Sequence, residues 1–228
     1  MDTHTPKTCL IVRGGWDGHT PAASTDLFHP LLTRAGFSVE IAEGPDRYLA
    51  GDLQSFDLIV QCVTMSEISK EGWQALQQAV RQGTGFAGWH GGIIDAYRQN
   101  TDYQFMVGGQ WVAHPGNLIP GYRVNITARH PITEGLSDFS LAQTEQYYVH
   151  VDPGVEVLCT TRFDGTQGDT DLYPAGVVMP YAWTRAYGKG RIFVACWGHT
   201  FADFAEETPR RLVLRGLCWA GKLDVLPQ

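Results

Sequence analysis

The stretch Gly85-Phe86-Ala87-Gly88-Trp89-His90-Gly91-Gly92 decides the reading of this chain. A helical pattern over about 66–82 precedes it and closes on Gly83, a common helix stop. Small and apolar residues then run into Trp89 and His90, and two glycines follow at once. The pattern predicts a short buried strand over 85–89 that ends in a sharp turn. In open α/β sheets the carboxyl edge of the strands is where ligands bind. His90, presented there, is a candidate acid, base or ligand. Gly91 and Gly92 let the backbone turn with positive φ or come close to another group. The competing reading is a core histidine beside a packing turn.

Outward from this strand, the first half alternates strand and helix. Residues 8–13 form an apolar run ended by Gly14-Gly15, and loop 15–21 leads into a helix over about 22–35 stopped by Gly36. Leu27, Phe28, Leu31 and Leu32 fall at helical spacing there. Strands are expected at 37–42 and, after Leu53–Phe56, at 57–63. In the helix at 66–82, Ser69 and Glu71 lie near the start, and Trp73, Leu76 and Val80 share a face. Such alternation implies parallel strands joined by right-handed crossovers. The second half differs. Residues 100–121, rich in Gly, Gln, Asn and aromatics, read as a long loop with one helical turn. Strands follow at 122–126, 141–150 and 155–161. A hairpin runs from 177–187 through Gly188-Lys189-Gly190 into 192–199, and a last helix covers 207–220. Without a repeat or linker, residues 1–228 read as one domain.

Composition narrows the function classes. The 228 residues are 43% apolar and 18% charged, enough for a real core. Net charge is −7 and the 17 Lys and Arg are scattered, which argues against nucleic-acid binding. No apolar run reaches the roughly 20 residues of a membrane span, and the polar start lacks a signal-peptide core. Five cysteines, odd in number, widely spaced and mostly in apolar runs, read as reduced core residues of a cytoplasmic protein. There is no Cys-x-x-Cys pair.

Several stretches together resemble the ThuA-like family, named for trehalose utilisation. They are Gly88–Gly92; Gly108-Gly109 with His114-Pro115; His130–Leu136; Thr144-Glu145-Gln146-Tyr147-Tyr148 with His150; Pro180–Trp183; and Tyr187–Arg191 running to Gly198-His199. They come in the family's order and cover about 8–221. The family's usual Asp-Glu pair is Thr144-Glu145 here, so no acid stands at 144. The resemblance implies a class I glutamine amidotransferase-like fold: a flavodoxin-like three-layer α/β/α sandwich around a mostly parallel, doubly wound sheet. In amidotransferases the turn after this strand carries a nucleophilic cysteine. By this alignment Trp89 takes its place, and an indole cannot attack a carbonyl. Thioester chemistry, which needs an activated thiolate, is not expected.

His199 follows Gly198 at the end of an apolar run, as His90 follows its own. If the two strands are parallel in one sheet, both emerge at one edge. Glu145 and His150 are five residues apart, which puts them on opposite faces of a continuous strand; they share a site only if the strand ends or bulges between them. Trp16, Asp17 and His19 lie in the loop after the first strand, again at the ligand edge. His114 sits in the long loop and would close over the site or form a turn. His130-Pro131 reads as a turn, and His4 and His29 as inert. The aromatics Trp16, Trp89, Trp111, Tyr147, Tyr148 and Trp183 fall near the expected strand ends and suit sugar rings, though aromatics also fill cores.

The functional expectation is an enzyme acting on a sugar or a 3-keto-glycoside or disaccharide derivative. His90, His199 and His150 would move protons with Glu145. Trp16, Asp17, His19, Trp89, Gly91, Gly92, His114, Tyr147 and Trp183 would bind substrate. A divalent metal such as zinc on His90, His150 and His199 is the metal-assisted version. The alternative is a non-catalytic sugar-binding or regulatory protein. In either case the ligand is a small carbohydrate, with neither nucleic acid nor membrane as partner. Seven tryptophans and the aromatic segment 103–111 favour a homo-oligomer. Geometrically, His90, His150 and His199 should converge near Glu145, with loop 15–21 and segment 108–116 as walls.

Overall fold

Buried apolar runs build the centre of the sheet. A computed structural model describes residues 6–165 and 175–227; His4 lies outside them. Strand β1 (Lys7–Gly15) is followed by helix α1 (Pro21–Ala35), β2 (Phe37–Glu43), β3 (Leu58–Thr64), α2 (Lys70–Gln82) and β4 (Gly85–Trp89). All seven residues of β3 and all five of β4 are buried. Strands covered on both faces need continuous apolar runs of this kind. Pro21 opens α1, where its missing N–H costs nothing. The Ser69 side chain caps α2 by accepting from Gly72 N, so the helix starts at Lys70 rather than at 66. Trp73, Leu76, Ala79 and Val80 form its buried face. Residues 53–55, expected to lead into a strand, form a 3-10 turn before β3.

The remaining elements are α3 (Gly91–Ile94), α4 (Thr101–Val107), β5 (Gly109–Ala113), β6 (Leu118–Ile126), β7 (Phe139–Glu145), β8 (Tyr148–Val151), β9 (Glu156–Arg162), β10 (Val178–Tyr187), β11 (Gly190–Ala195) and α5 (Glu207–Ala220). Nine strands make one sheet in the order β2-β1-β3-β4-β11-β10-β9-β6-β7. The first five run parallel and the last four pair antiparallel. Helices α1 and α5 pack together on one face, and α2, α3 and α4 on the other. This is the expected α/β/α sandwich, with an antiparallel wing added to the doubly wound half. Strands β5 and β8 form a separate two-stranded ribbon.

Two stretches differ from expectation. Residues 100–121 are not a loop: they hold α4, β5 and the start of β6. Asn100 caps α4 by accepting from Tyr103 N, and Gly108 at φ 84° ends it. Seven residues are too few for a periodic signal. The expected strand 141–150 is two strands in different sheets. Between them, the buried Gln146 amide donates to Thr161 Oγ1 and Arg162 O, and Tyr147 N donates to Tyr181 Oη. These bonds replace the ladder where the chain leaves the main sheet.

Candidate functional site

At the carboxyl edge of the parallel half every strand ends near a residue of positive φ: Gly14 (140°) and Gly15 (78°) in β1, Gly44 (75°) after β2, Met65 (47°) after β3, His90 (48°) after β4 and Gly198 (104°) beyond β11. The turn after β1 is pinned by Trp16 N donating to Thr64 O, and the short 3-10 turn that follows carries His19. His90 has φ 48° and ψ −143°, a sparsely populated conformation for a side-chain-bearing residue. Its N–H donates to Ala195 O of β11 at 2.7 Å. In a strand-turn-helix elbow this strained position presents the reactive side chain. The elbow residue is therefore His90, which corrects the reading that gave this place to Trp89. Trp89 is the last residue of β4, 1% exposed, with its ring against Phe28 and Phe204. Gly91 is required by close approach. A Cβ there would lie 2.5 Å from His19 Cε1.

Three histidines and one carboxylate meet at this edge. The ligand atoms of His19, His90, Glu145 and His199 lie within 4.8 Å of one another. Glu145 Oε2 is 3.1 Å from His90 Nε2, 3.2 Å from His199 Nδ1 and 3.7 Å from His19 Nε2. His90 Nδ1 faces the Cys196 carbonyl at 3.1 Å. A carbonyl only accepts, so Nδ1 carries the proton and Nε2 turns a lone pair on the carboxylate. His19 Nδ1 pairs with Thr64 Oγ1 at 2.9 Å, which fixes that ring with Nε2 inward. Partners on the outer nitrogens are how metal-binding imidazoles are oriented.

The electrostatics favour the protonation states a metal needs. Burial pushes His90 down to about 4, against the pull of Glu145, so it is neutral at pH 7. Burial raises the Glu145 carboxyl, but the facing imidazoles of His19 and His199 hold it well below the usual carboxylate range. Two acceptors, His90 Nε2 and Glu145 Oε2, thus face each other with no proton of their own to share. His199 Nδ1 is buried and, although 3.2 Å from Glu145 Oε2, makes no well-aimed hydrogen bond among the described residues. A cation at the centre would satisfy all of these atoms. Imidazole nitrogens with one carboxylate suit zinc or another first-row transition ion; magnesium and calcium prefer oxygen sets.

A wall of rings borders the cluster. Tyr147 stacks on His90, with centroids 3.8 Å apart and planes at 24°. His114 Nε2 is 3.9 Å from Glu145 Oε1, and its ring lies against Trp111 and Tyr147. Arg98, bidentate to Asp95, covers the Trp111 face at 4.4 Å. Trp16, 47% exposed, meets His19 edge-on. A hollow of about 700 Å³ shares Arg98 with this wall and also involves Met65, Trp73, Tyr97 and Asn100.

The expected site is thus brought together with changes of membership. His90, His199, Glu145, His19 and His114 converge, and Gly91, Tyr147 and Trp16 border them. Gly92 lets α3 pack on β3, since a Cβ there would lie 2.7 Å from Cys62 Cα. His150 does not join: it is exposed on β8, opposite Gln110. The strand does end between Glu145 and His150, but the chain crosses into the ribbon there. Its place as third imidazole is taken by His19. Trp183 is a fully buried residue of β10 whose indole N–H donates to Val107 O, and it offers no face to a ligand. Asp17 is exposed beside His19. Sequence reasoning missed Thr64, at the end of β3, and Asp203, in the 3-10 turn Phe201–Phe204; single short polar residues carry no periodic signal.

The ThuA family model, described as trehalose utilisation, matches residues 8–220. A ThuA-like protein from Bacteroides uniformis superposes with a TM-score of 0.77 at 20% identity, over 96% of this chain and 93% of that one. One from Parabacteroides merdae gives 0.78 at 19% identity, over 98% and 92%. A β-galactosidase from Bacillus circulans gives 0.59 at 12% identity; this chain matches over 96% of its length, but only 32% of the galactosidase. At such identities these likenesses concern the fold. No curated protein sequence matches the chain.

Proposed function

We propose a function from one premise: the chain belongs to the ThuA family, the family of trehalose utilisation. It is an enzyme of carbohydrate metabolism that acts on a sugar or a 3-keto derivative of a glycoside or disaccharide. Its active centre is a divalent transition-metal site formed by His19, His90, Glu145 and His199. The observation that carries this reading is the convergence of three imidazole nitrogens and one carboxylate oxygen within 4.8 Å. A divalent ion bound there would polarise a carbonyl or hydroxyl oxygen of the substrate as a Lewis acid.

The chain's own residues supply the rest. His114 stands outside the four-residue cluster and is partly exposed, with 30% of its side chain accessible. It is the histidine free to hydrogen-bond a substrate hydroxyl and to move a proton beside a carbonyl. The step is a proton transfer within an elimination, an isomerisation or a hydrolysis. Trp16 offers an indole face for the C–H face of a sugar ring. The hollow beside Arg98 has room for the part of a glycoside remote from the reacting carbon. Cysteine-dependent amidotransfer has no support. The thiol of Cys62, next to the elbow, is pushed up to about 12 by burial, and the elbow residue is a histidine.

The test is elemental analysis of protein purified without added metal, then turnover of 3-keto-glycosides before and after chelation. The expected result is a near-stoichiometric transition metal, with activity lost on chelation and restored by adding the ion back. Tight sugar binding without turnover would overturn the enzyme reading in favour of a binding or regulatory protein. The chain is further proposed to form a homo-oligomer. Phe105 and Val112, 59% and 37% exposed, are large apolar residues of the α4–β5 segment. Light scattering that gives only monomer would contradict this.

A further inference from the structure

Asp203 is a buried carboxylate that the proposed chemistry leaves unused. It lies in the 3-10 turn Phe201–Phe204 and is 7% exposed. One oxygen, Oδ2, accepts three hydrogen bonds: from Thr144 Oγ1 at 2.8 Å and from the backbone N–H groups of Gly198 and His199, each at 3.0 Å. Burying a carboxylate is costly unless it is hydrogen-bonded, and bonds to an ionised acceptor are the strong ones. The three donors come from two segments. Gly198 and His199 follow β11; Thr144 is in β7, four places further along the sheet. Each segment carries a member of the cluster, His199 in one and Glu145, directly after Thr144, in the other. No ladder joins β7 to β11 directly; the sheet links them only through β10, β9 and β6, and the Asp203 bridge ties their ends to each other across that distance. The base of the bridge is fixed. Phe204 packs on Phe28 and Trp89, and Arg210 donates to the carbonyls of Phe204 and Ala205.

We propose that Asp203 is a positioning residue that locks the Glu145 carboxylate and the His199 imidazole at the spacing the centre requires. Its consequence for metal affinity rests on the metal-site reading above; the lock itself belongs to the metal-free chain. The experiment therefore has two arms on Asp203→Ala, Asp203→Asn and Thr144→Val. One arm measures hydrogen exchange at the Gly198 and His199 amides in the metal-free protein. The other measures Co(II) affinity and the visible spectrum of the Co(II) form.

In D203A both amides should exchange faster, the Co(II) dissociation constant should rise about 10–100-fold, as for other outer-shell partners, and the ligand-field bands should shift. D203N keeps an acceptor oxygen of the same shape and should retain most of the affinity. T144V should weaken Co(II) binding while the two amides stay protected. The double variant D203A/T144V should be no weaker than D203A alone, because both changes break one link. Wild-type affinity and spectrum in D203A would overturn the proposal, as would additive losses in the double variant. If the wild-type chain takes up no Co(II), the metal reading fails by itself. The exchange arm still decides: unchanged amide exchange in D203A sinks the lock, and faster exchange confined to residues 198 and 199 upholds it. If D203A does not fold, T144V stands in its place, and unchanged Co(II) affinity there contradicts the proposal.

Discussion

His19, His90 and His199 leave the carboxyl ends of β1, β4 and β11 in the parallel half of the sheet, whereas Glu145 leaves the end of β7, its outermost antiparallel strand. The two halves hold their contributions differently. In the parallel half, backbone bonds hold the turns of His19 and His90, Trp16 N to Thr64 O and His90 N to Ala195 O, while His199 rests on the Asp203 side chain. In the antiparallel wing Glu145 ends the edge strand, laddered on one side only opposite Leu118 of β6, and side chains brace it from the other. Tyr122 Oη donates to Glu145 O, Thr144 bonds Asp203, and Phe139 packs on Trp197. Ladders place a residue as firmly as the sheet itself is held. Side-chain struts can fail while the sheet stays intact. Changes in the parallel half should therefore cost stability and metal together, and changes in the wing mainly metal.

The largest expected effect is His90→Ala, which should remove metal binding altogether in calorimetric titration with Zn(II). Glu145→Gln keeps the shape of the wing's contribution and removes the one negative charge among the four ligands. It should weaken binding strongly with little change in the melting temperature of the metal-free protein. Equal melting losses in the two variants would erase the contrast between the halves. Gly91→Ala comes next. Its Cβ, 2.5 Å from His19 Cε1, must push the ring away. The expected cost is about 1–3 kcal/mol of stability, read by denaturant unfolding, together with weaker Zn(II) binding. A loss of one without the other would break the claim that the parallel half couples them.

The smallest effect lies at the opposite edge of the parallel half, far along the strands from the cluster. Asp57 accepts from Thr8 N at 2.8 Å and from Lys7 Nζ at 3.2 Å. Burial pushes its carboxyl up, but these partners prevail and hold it below its ordinary 3.8. A depressed carboxyl contributes stability above its unfolded pKa and loses it as the pH falls through the folded value. The contribution is thus complete above about pH 4 and fades below it. Asp57→Asn should flatten that part of the acid limb of a melting-temperature profile and leave Zn(II) affinity unchanged at pH 7.

The parallel half could be read from the chain because buried strands write continuous apolar runs, and Gly36, Gly83 and Gly198 punctuate them. The position of an edge histidine follows from such a run, which is why His90 and His199 were expected together. The elbow lies one residue beyond Trp89: the sequence shows a turn near Trp89-His90, but only the positive φ of His90 shows which residue makes it. The wing was less legible. Whether Glu145 and His150 share a face depends on where the strand ends, and that is set by Gln146 bonding to Thr161 and Arg162 from a distant strand. Trp183 and Trp89 drew attention as aromatics near strand ends, yet both are core, the commoner fate of a large ring. Asp203 gave no signal, since its partners are backbone groups and a threonine brought close only by folding.

The central claim is a metal held by one carboxylate from the wing and three imidazoles from the parallel half. Anomalous X-ray scattering from crystals grown with Zn(II) tests it most directly. A peak is expected among His19 Nε2, His90 Nε2, Glu145 Oε2 and His199 Nδ1, at about 2.0–2.2 Å from each. A peak at His150 instead, or no peak among these four atoms in crystals soaked to saturation, would contradict it.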